Sequence, residues 1–150
     1  MTIQANDTAQ SGGNREALIA FLNELLEAER AGARVTLESA HTAGDGPIAE
    51  LLRTIQHDEA RWCAMLSRHL KAFGETPSAK VGAFHGKAMA IADLGARLSF
   101  LNRGQGWVVK KLREWLPQVG EGPLHDDLAD MLRSHEANIA LANDVVSRDG

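Results

Sequence analysis

Apolar residues recur along most of this chain at intervals of three and four, the spacing that gathers them on one face of an α-helix. One stripe carries Leu18, Leu22, Leu25, Glu29, Ala33 and Thr36; a second carries Ile48, Leu52, Ile55, Glu59, Cys63, Leu66 and Leu70. A third runs through Leu94, Leu98, Leu101, Gln105, Val108, Leu112 and Trp115, and a fourth through Leu124, Leu128, Met131, Leu132, His135, Ile139, Ala142 and Val146. The pattern predicts helices over approximately 15–41, 48–73, 93–117 and 123–147. Asn14 and Asp93 have the chemistry of N-caps, Pro47 and Pro123 suit a first helical turn, and Gly74, Pro117 and Gly120 provide stops. No alternating strand pattern, Gly-rich phosphate loop or internal repeat competes with this reading.

The links between the stripes are short, long and short. TAGDGP (42–47) and GEGP (120–123) are turns, whereas Gly74 to Asp93 is a connection of roughly twenty residues, against about 2–8 for an ordinary helix–helix link. Short links make antiparallel neighbours, and a long one lets the chain travel the length of the molecule before the next helix begins. The predicted fold class is therefore all-α, a four-helix bundle over 15–150 with one long crossover between helices 2 and 3. A short helix around 84–92 is expected inside the crossover. Residues 1–14, polar and with little to bury, are expected to form a disordered tail.

Each stripe is interrupted by one polar residue: Glu29, Glu59, Gln105 and His135. All four come about 11–14 residues into their helices, near mid-height at about 1.5 Å per residue, so they are expected in one layer. An unpaired buried carboxylate costs several kcal/mol or takes up a proton, so the layer needs partners. It is the candidate site.

Composition narrows the function classes. Net charge is −4, and the basic residues are scattered among acidic ones, which argues against nucleic acid. No run of about 18 apolar residues exists to cross a membrane, and the polar N-terminus lacks a secretory signal, so a cytoplasmic location is expected. Cys63 is the only cysteine, which excludes an internal disulfide and a Cys-based zinc cluster. There is no tyrosine, hence no tyrosyl radical. Trp107, opposite the third stripe, suggests a subunit contact and a homodimer or other homo-oligomer. His41, His57, His69, His85 and His125 lie near helix ends or off the stripes and read as solvated, and Arg97 reads as a cation able to neutralise a core carboxylate. The pair Gly104 and Gly106 implies close backbone approach or room beside Gln105.

These residues resemble the ferritin-like superfamily, rubrerythrin-type proteins in particular, which hold two irons with a Glu on the first helix, Glu-x-x-His on the second, Glu on the third and Glu-x-x-His on the fourth. Glu29 in LLEAERAGA matches the first position, Glu59 in DEARW the Glu of the second helix, and His135 in MLRSHEA the final His. Trp62 stands in place of the second-helix His, Gln105 nearest the third-helix Glu, and Leu132 in place of the fourth-helix Glu. A shift of register that recruits Glu136 would put Ile139 at the His position. Indole and leucine side chains offer no lone pair to a metal, so a normal di-iron centre cannot form from this set.

Three readings follow. In the first, Glu29, Glu59 and His135 hold one divalent ion (iron, manganese or zinc) in an oxidoreductase or metal-handling protein. In the second, the layer is metal-free, with Gln105 donating to one carboxylate, His135 to the other and the two Glu sharing a proton; the bundle then serves as a non-catalytic binding or assembly module. In the third, the replaced ligands leave a small-ligand pocket beside Gly104, Gly106 and Trp62.

Overall fold

The computed structural model describes residues 8–149, with side chains from 13 to 148. Its regular elements among these residues are all helical: α1 (Thr8–Ala43), α2 (Pro47–Ala72), the short α3 (Phe84–Met89), α4 (Leu94–Trp115) and α5 (Pro123–Asp149), with a 3-10 turn at Leu116–Gln118. No described helix is long and apolar enough to cross a membrane.

The local signals act where the chain needs them. Gly44 (φ 72°) and Gly46 (φ 111°) turn the backbone ahead of Pro47, which opens α2, and Arg53 Nη2 donates to the Gly44 carbonyl at 2.6 Å. At the far end Gly74 takes φ 82°, and its N–H and that of Glu75 return to the carbonyls of Lys71 (2.9 Å) and Leu70 (3.0 Å), satisfying acceptors the helix leaves open. Asp93 caps α4 by accepting from the Ala96 N–H at 2.8 Å. One expectation is corrected at the N-terminus. α1 begins at Thr8, so residues 8–14 are helical and Asn14 lies inside the helix instead of capping it. Extending an existing helix costs far less than nucleating one, and no proline stands in the way. The rest of the expected tail, residues 1–7, lies outside the described residues.

The core consists of two apolar clusters. One gathers Leu22 and Leu25 of α1, Trp62, Leu66 and Leu70 of α2, Leu112 of α4, and Leu128 and Met131 of α5. The other gathers Val35, Leu52, Ile55, Leu98, Leu101 and Ala142 from the same four helices. Following the chain, α1 and α5 pass from the first cluster to the second, and α2 and α4 from the second to the first. α1 packs chiefly on α2, and α4 on α5. Because α2 and α4 run the same way, the link between them must return along the molecule.

That return runs beside α1. The Ser78 N–H donates to Asn23 Oδ1 (2.9 Å) and its hydroxyl to Glu27 Oε2 (2.6 Å); Arg30 Nη1 donates to the Lys80 carbonyl (2.6 Å), and His85 Nε2 pairs with Glu38 Oε1 (3.1 Å). The contacts climb α1 in order, ending at α3, which packs on α1 and α4. α3 stops at Met89 and is shorter than the 84–92 expected. Arg97 is buried but does not reach a core carboxylate: it donates to the Ile91 carbonyl and to Ser39 Oγ, each at 2.9 Å, joining the end of the crossover to α1.

Candidate functional site

Between the two apolar clusters lie Glu29, Glu59, Gln105 and His135, one from each long helix and each no more than 3% exposed. Burial makes the partner of every polar atom matter. His135 Nδ1–H donates to the Met131 carbonyl, four residues back on its own helix, at 2.9 Å. That fixes the ring so that Nε2 faces Glu29, 3.0 Å from Oε1 and 3.1 Å from Oε2; the hydrogen bond is directed at Oε2, and Oε1 is left without a partner of its own. Burial works against a charge on His135, but the Glu29 carboxylate, its hydrogen bond, the Met131 carbonyl and Asp58 outweigh it and raise the imidazole above its ordinary value.

Glu59 is held differently. Its carboxyl lies against Gly32, one turn along α1 from Glu29: a Cβ at that position would stand 1.9 Å from Oε2. Only a glycine leaves the space. Burial first, and then repulsion from Glu29 and Asp58, raise Glu59 well above the usual carboxylate range and favour its protonated form. Its Oε1 has no hydrogen-bond partner. Gln105 does not donate to a carboxylate as the metal-free reading expects. Its Nε2 points to Asn102 Oδ1 at a long 3.4 Å, and Oε1 is unpartnered. Asn102 sits one turn away on α4 and competes locally for the amide.

The replaced positions are filled by packing. Trp62 is buried and donates Nε1–H to Ser134 Oγ (3.3 Å); Ser134 Oγ and Asn138 Nδ2 in turn donate to Asp58 Oδ2 at 3.3 and 3.0 Å. The indole thus occupies space at the α2–α5 contact and is anchored by a polar chain. Leu132 packs at the edge of the first apolar cluster, and Glu136 turns outward to pair with Arg113. Cys63 lies one turn beyond Glu59; burial, Glu29 and Glu59 push its thiol up to about 12, so it carries no thiolate to serve as nucleophile or soft ligand. His69 pairs with Asp127 (2.7 Å) between α2 and α5, away from the layer. Among the described residues, no three His, Cys, Asp or Glu side chains stand close enough to hold one metal ion. The set does not fit a two-metal centre.

What the layer does have is access. A cavity of about 320 Å³ opens between α1, α4 and the crossover, with Glu24, Glu27 and Trp107 at its mouth, and ends on Glu29, Glu59 and Gln105. Its walls are apolar: Ala28, Phe84, Leu101 and Val108. Phe84 reaches the wall because its ring lies on the backbone of Gly104, where a Cβ would meet Cε1 at 2.7 Å, and it stacks on Phe100 at 5.0 Å. Gly104 therefore answers the expected close approach, while a Cβ at Gly106 would meet nothing within 4 Å. The cavity lies beside Gly104 as the pocket reading expects, and Trp62 is not part of its lining. Trp107 is exposed at the mouth.

Gly32, Asp58, Ser134, Asn138 and Phe84 shape the site and went unread in the sequence. Gly32 carried a signal, a glycine three residues after Glu29 where a helix interior is disfavoured by about 1 kcal/mol; the others carried none. No curated protein and no solved structure matches the chain. A family model does match residues 16–144, most of its length, and the chain accordingly belongs to the family described as a domain of unknown function (DUF6306).

Proposed function

We propose that this protein is a ferritin-like four-helix bundle in which a small-molecule pocket has taken the place of the metal centre, and that it acts as a binding module. One observation carries the reading: an apolar-walled cavity of about 320 Å³ reaches inward to the buried residues Glu29, Glu59 and Gln105, of which Glu59 Oε1 and Gln105 Oε1 have no hydrogen-bond partner in the protein. A buried acceptor without a donor costs about 1–3 kcal/mol. A ligand that brings donors to the inner end and apolar surface to the walls recovers that cost. The volume falls at the lower end of the roughly 300–1,000 Å³ of small-molecule sites.

The test is a fragment screen of small neutral, cationic and anionic compounds read by ligand-observed NMR, on the native protein and on Ala28→Leu, which narrows the cavity. Binding lost in Ala28→Leu supports the pocket. Fragments that bind both proteins alike, or none at all, would sink it.

A second reading has a specific observation in its favour. Glu29 and His135, a carboxylate and an imidazole of the kind that suits a divalent ion such as manganese or iron, stand 3.0 Å apart in the layer, and an ion there would have to draw a third ligand toward them, since among the described residues no three His, Cys, Asp or Glu side chains are close enough as they stand. In that case added ion stabilises the native chain by mass action, by about 2.7 kcal/mol at a hundredfold excess over the dissociation constant. His135→Ala and Glu29→Gln abolish the gain. An unmoved thermal midpoint in manganese(II), iron(II) and zinc(II) eliminates this reading and leaves the pocket standing.

A further inference from the structure

We infer that the cavity receives an uncharged, largely apolar molecule with about the bulk of two fused rings, seated against Ala28, Phe84, Leu101 and Val108. This rests on the pocket reading above and names its ligand class.

The walls set the polarity. Ala28, Leu101 and Val108 present aliphatic surface and Phe84 a ring, and Trp107 at the mouth extends this surface outward. Water needs about 2–4 polar partners to be held in place, and such walls supply few. An apolar group gains affinity by displacing poorly held water and by burying its own surface against the same side chains. The fit rests on these walls and not on the buried oxygens of the layer.

The charge follows from what the cavity lacks. No Lys, Arg or His is among the described residues that line it, so an anion finds no counter-charge. A cation fares little better inside. The Glu29 carboxylate is engaged by His135, 3.0 Å away, Gln105 is a neutral amide, and burial with repulsion from Glu29 and Asp58 favours the protonated form of Glu59. At the mouth Glu24 is exposed to water, and Glu27 accepts from Ser78 Oγ at 2.6 Å. An ion taken inside would give up its hydration without a partner to replace it, a cost that apolar contact does not offset.

The volume sets the bulk. An apolar cavity of about 150 Å³ holds one benzene ring. At about 320 Å³ this one is roughly twice as large and has room for a second ring. The wall is in place before a ligand arrives: Phe84 stacks on Phe100 at 5.0 Å and lies on the backbone of Gly104, so little ordering is left to be done on binding.

The experiment is calorimetric titration of the native protein and of Ala28→Leu with tryptophol, tryptamine, indole-3-acetate and 2-phenylethanol. The first three share a two-ring body and are neutral, positive and negative; the fourth is neutral with a single ring. Tryptophol should bind the native protein about tenfold more tightly than either ion. It should also exceed 2-phenylethanol by about tenfold, since the smaller body leaves apolar wall uncovered. Ala28→Leu, which narrows the cavity, should abolish tryptophol binding. If Ala28→Leu does not fold, isotope-filtered NOEs from tryptophol to the methyl groups of Ala28, Leu101 and Val108 in the native protein give the location, and binding without them overturns the inference. Tryptamine or indole-3-acetate binding as tightly as tryptophol, and lost in Ala28→Leu, overturns the uncharged ligand and keeps the pocket. 2-Phenylethanol binding as tightly as tryptophol overturns the two-ring bulk. Failure of every probe overturns inference and pocket together.

Discussion

The carboxyl group of Glu59 occupies the place where any residue but glycine at position 32 would carry its Cβ, 1.9 Å from Oε2. A helix-interior glycine replaced by alanine ordinarily gains about 1 kcal/mol. In Gly32→Ala that gain is offset by displacing Glu59, whose flexible side chain swings toward the cavity, so the net change should stay within about 1 kcal/mol of native. The diagnostic readout is the titration of the Glu59 carboxyl carbon by NMR: closer to solvent, it should move down toward the ordinary carboxylate range. A native-like titration in Gly32→Ala would show that the two residues do not share this space.

The two raised groups of the layer set the pH dependence of stability. Glu59 binds a proton more tightly in the folded than in the unfolded chain, and so does His135. Each therefore contributes stability that is full below its unfolded value, 4.5 for Glu59 and 6.5 for His135, and lost as pH rises through its raised folded value. Urea midpoints should fall from mildly acidic to alkaline pH. Glu59→Gln, which keeps the neutral form, should flatten the profile above 4.5 and exceed native stability at its alkaline end. A Glu59→Gln profile parallel to native would mean that Glu59 titrates in the ordinary range.

Trp62 fills the position where the ferritin-like resemblance puts a histidine, and it is 2% exposed. Trp62→Ala should cost about 3–5 kcal/mol in chemical denaturation. Trp62→His loses packing and the Ser134 contact, but adds an imidazole one turn from Glu59 on α2. Zinc(II) should then raise the thermal midpoint of Trp62→His more than that of the native chain. Equal shifts would place the new imidazole out of reach of the layer.

Gln105 has a buried carbonyl oxygen with no donor and an amide with only a long contact. Exchanging such a group for an apolar one of similar shape is neutral or stabilising. Gln105→Leu should therefore raise the unfolding free energy of the free protein, by up to about 1–3 kcal/mol. Destabilisation by a similar amount would mean that Gln105 has a partner in solution.

The sequence by itself determined the long helices, most of their ends, the long link between the second and third, and the presence of one polar residue in each apolar stripe. These follow from periodicity and from Gly, Pro and Asp at turns and caps, and such signals act over a few neighbouring residues. It did not reveal that α1 starts at Thr8, because helix extension needs no apolar mark. Pairing within the layer lay beyond it. His135 meets Glu29 across 106 positions, Trp62 reaches Ser134 across 72, and Phe84 lies on Gly104. Each contact depends on how two helices are rotated and spaced against one another, and small changes in either would exchange one partner for another. The cavity is a further product of that packing: α1 and α4 stand apart because the crossover lies along α1 and α3 wedges against both. Only the tertiary structure decided that Glu29 would take the imidazole, that Glu59 would lie against Gly32 with its proton affinity raised, and that a cavity would reach inward to Glu29, Glu59 and Gln105.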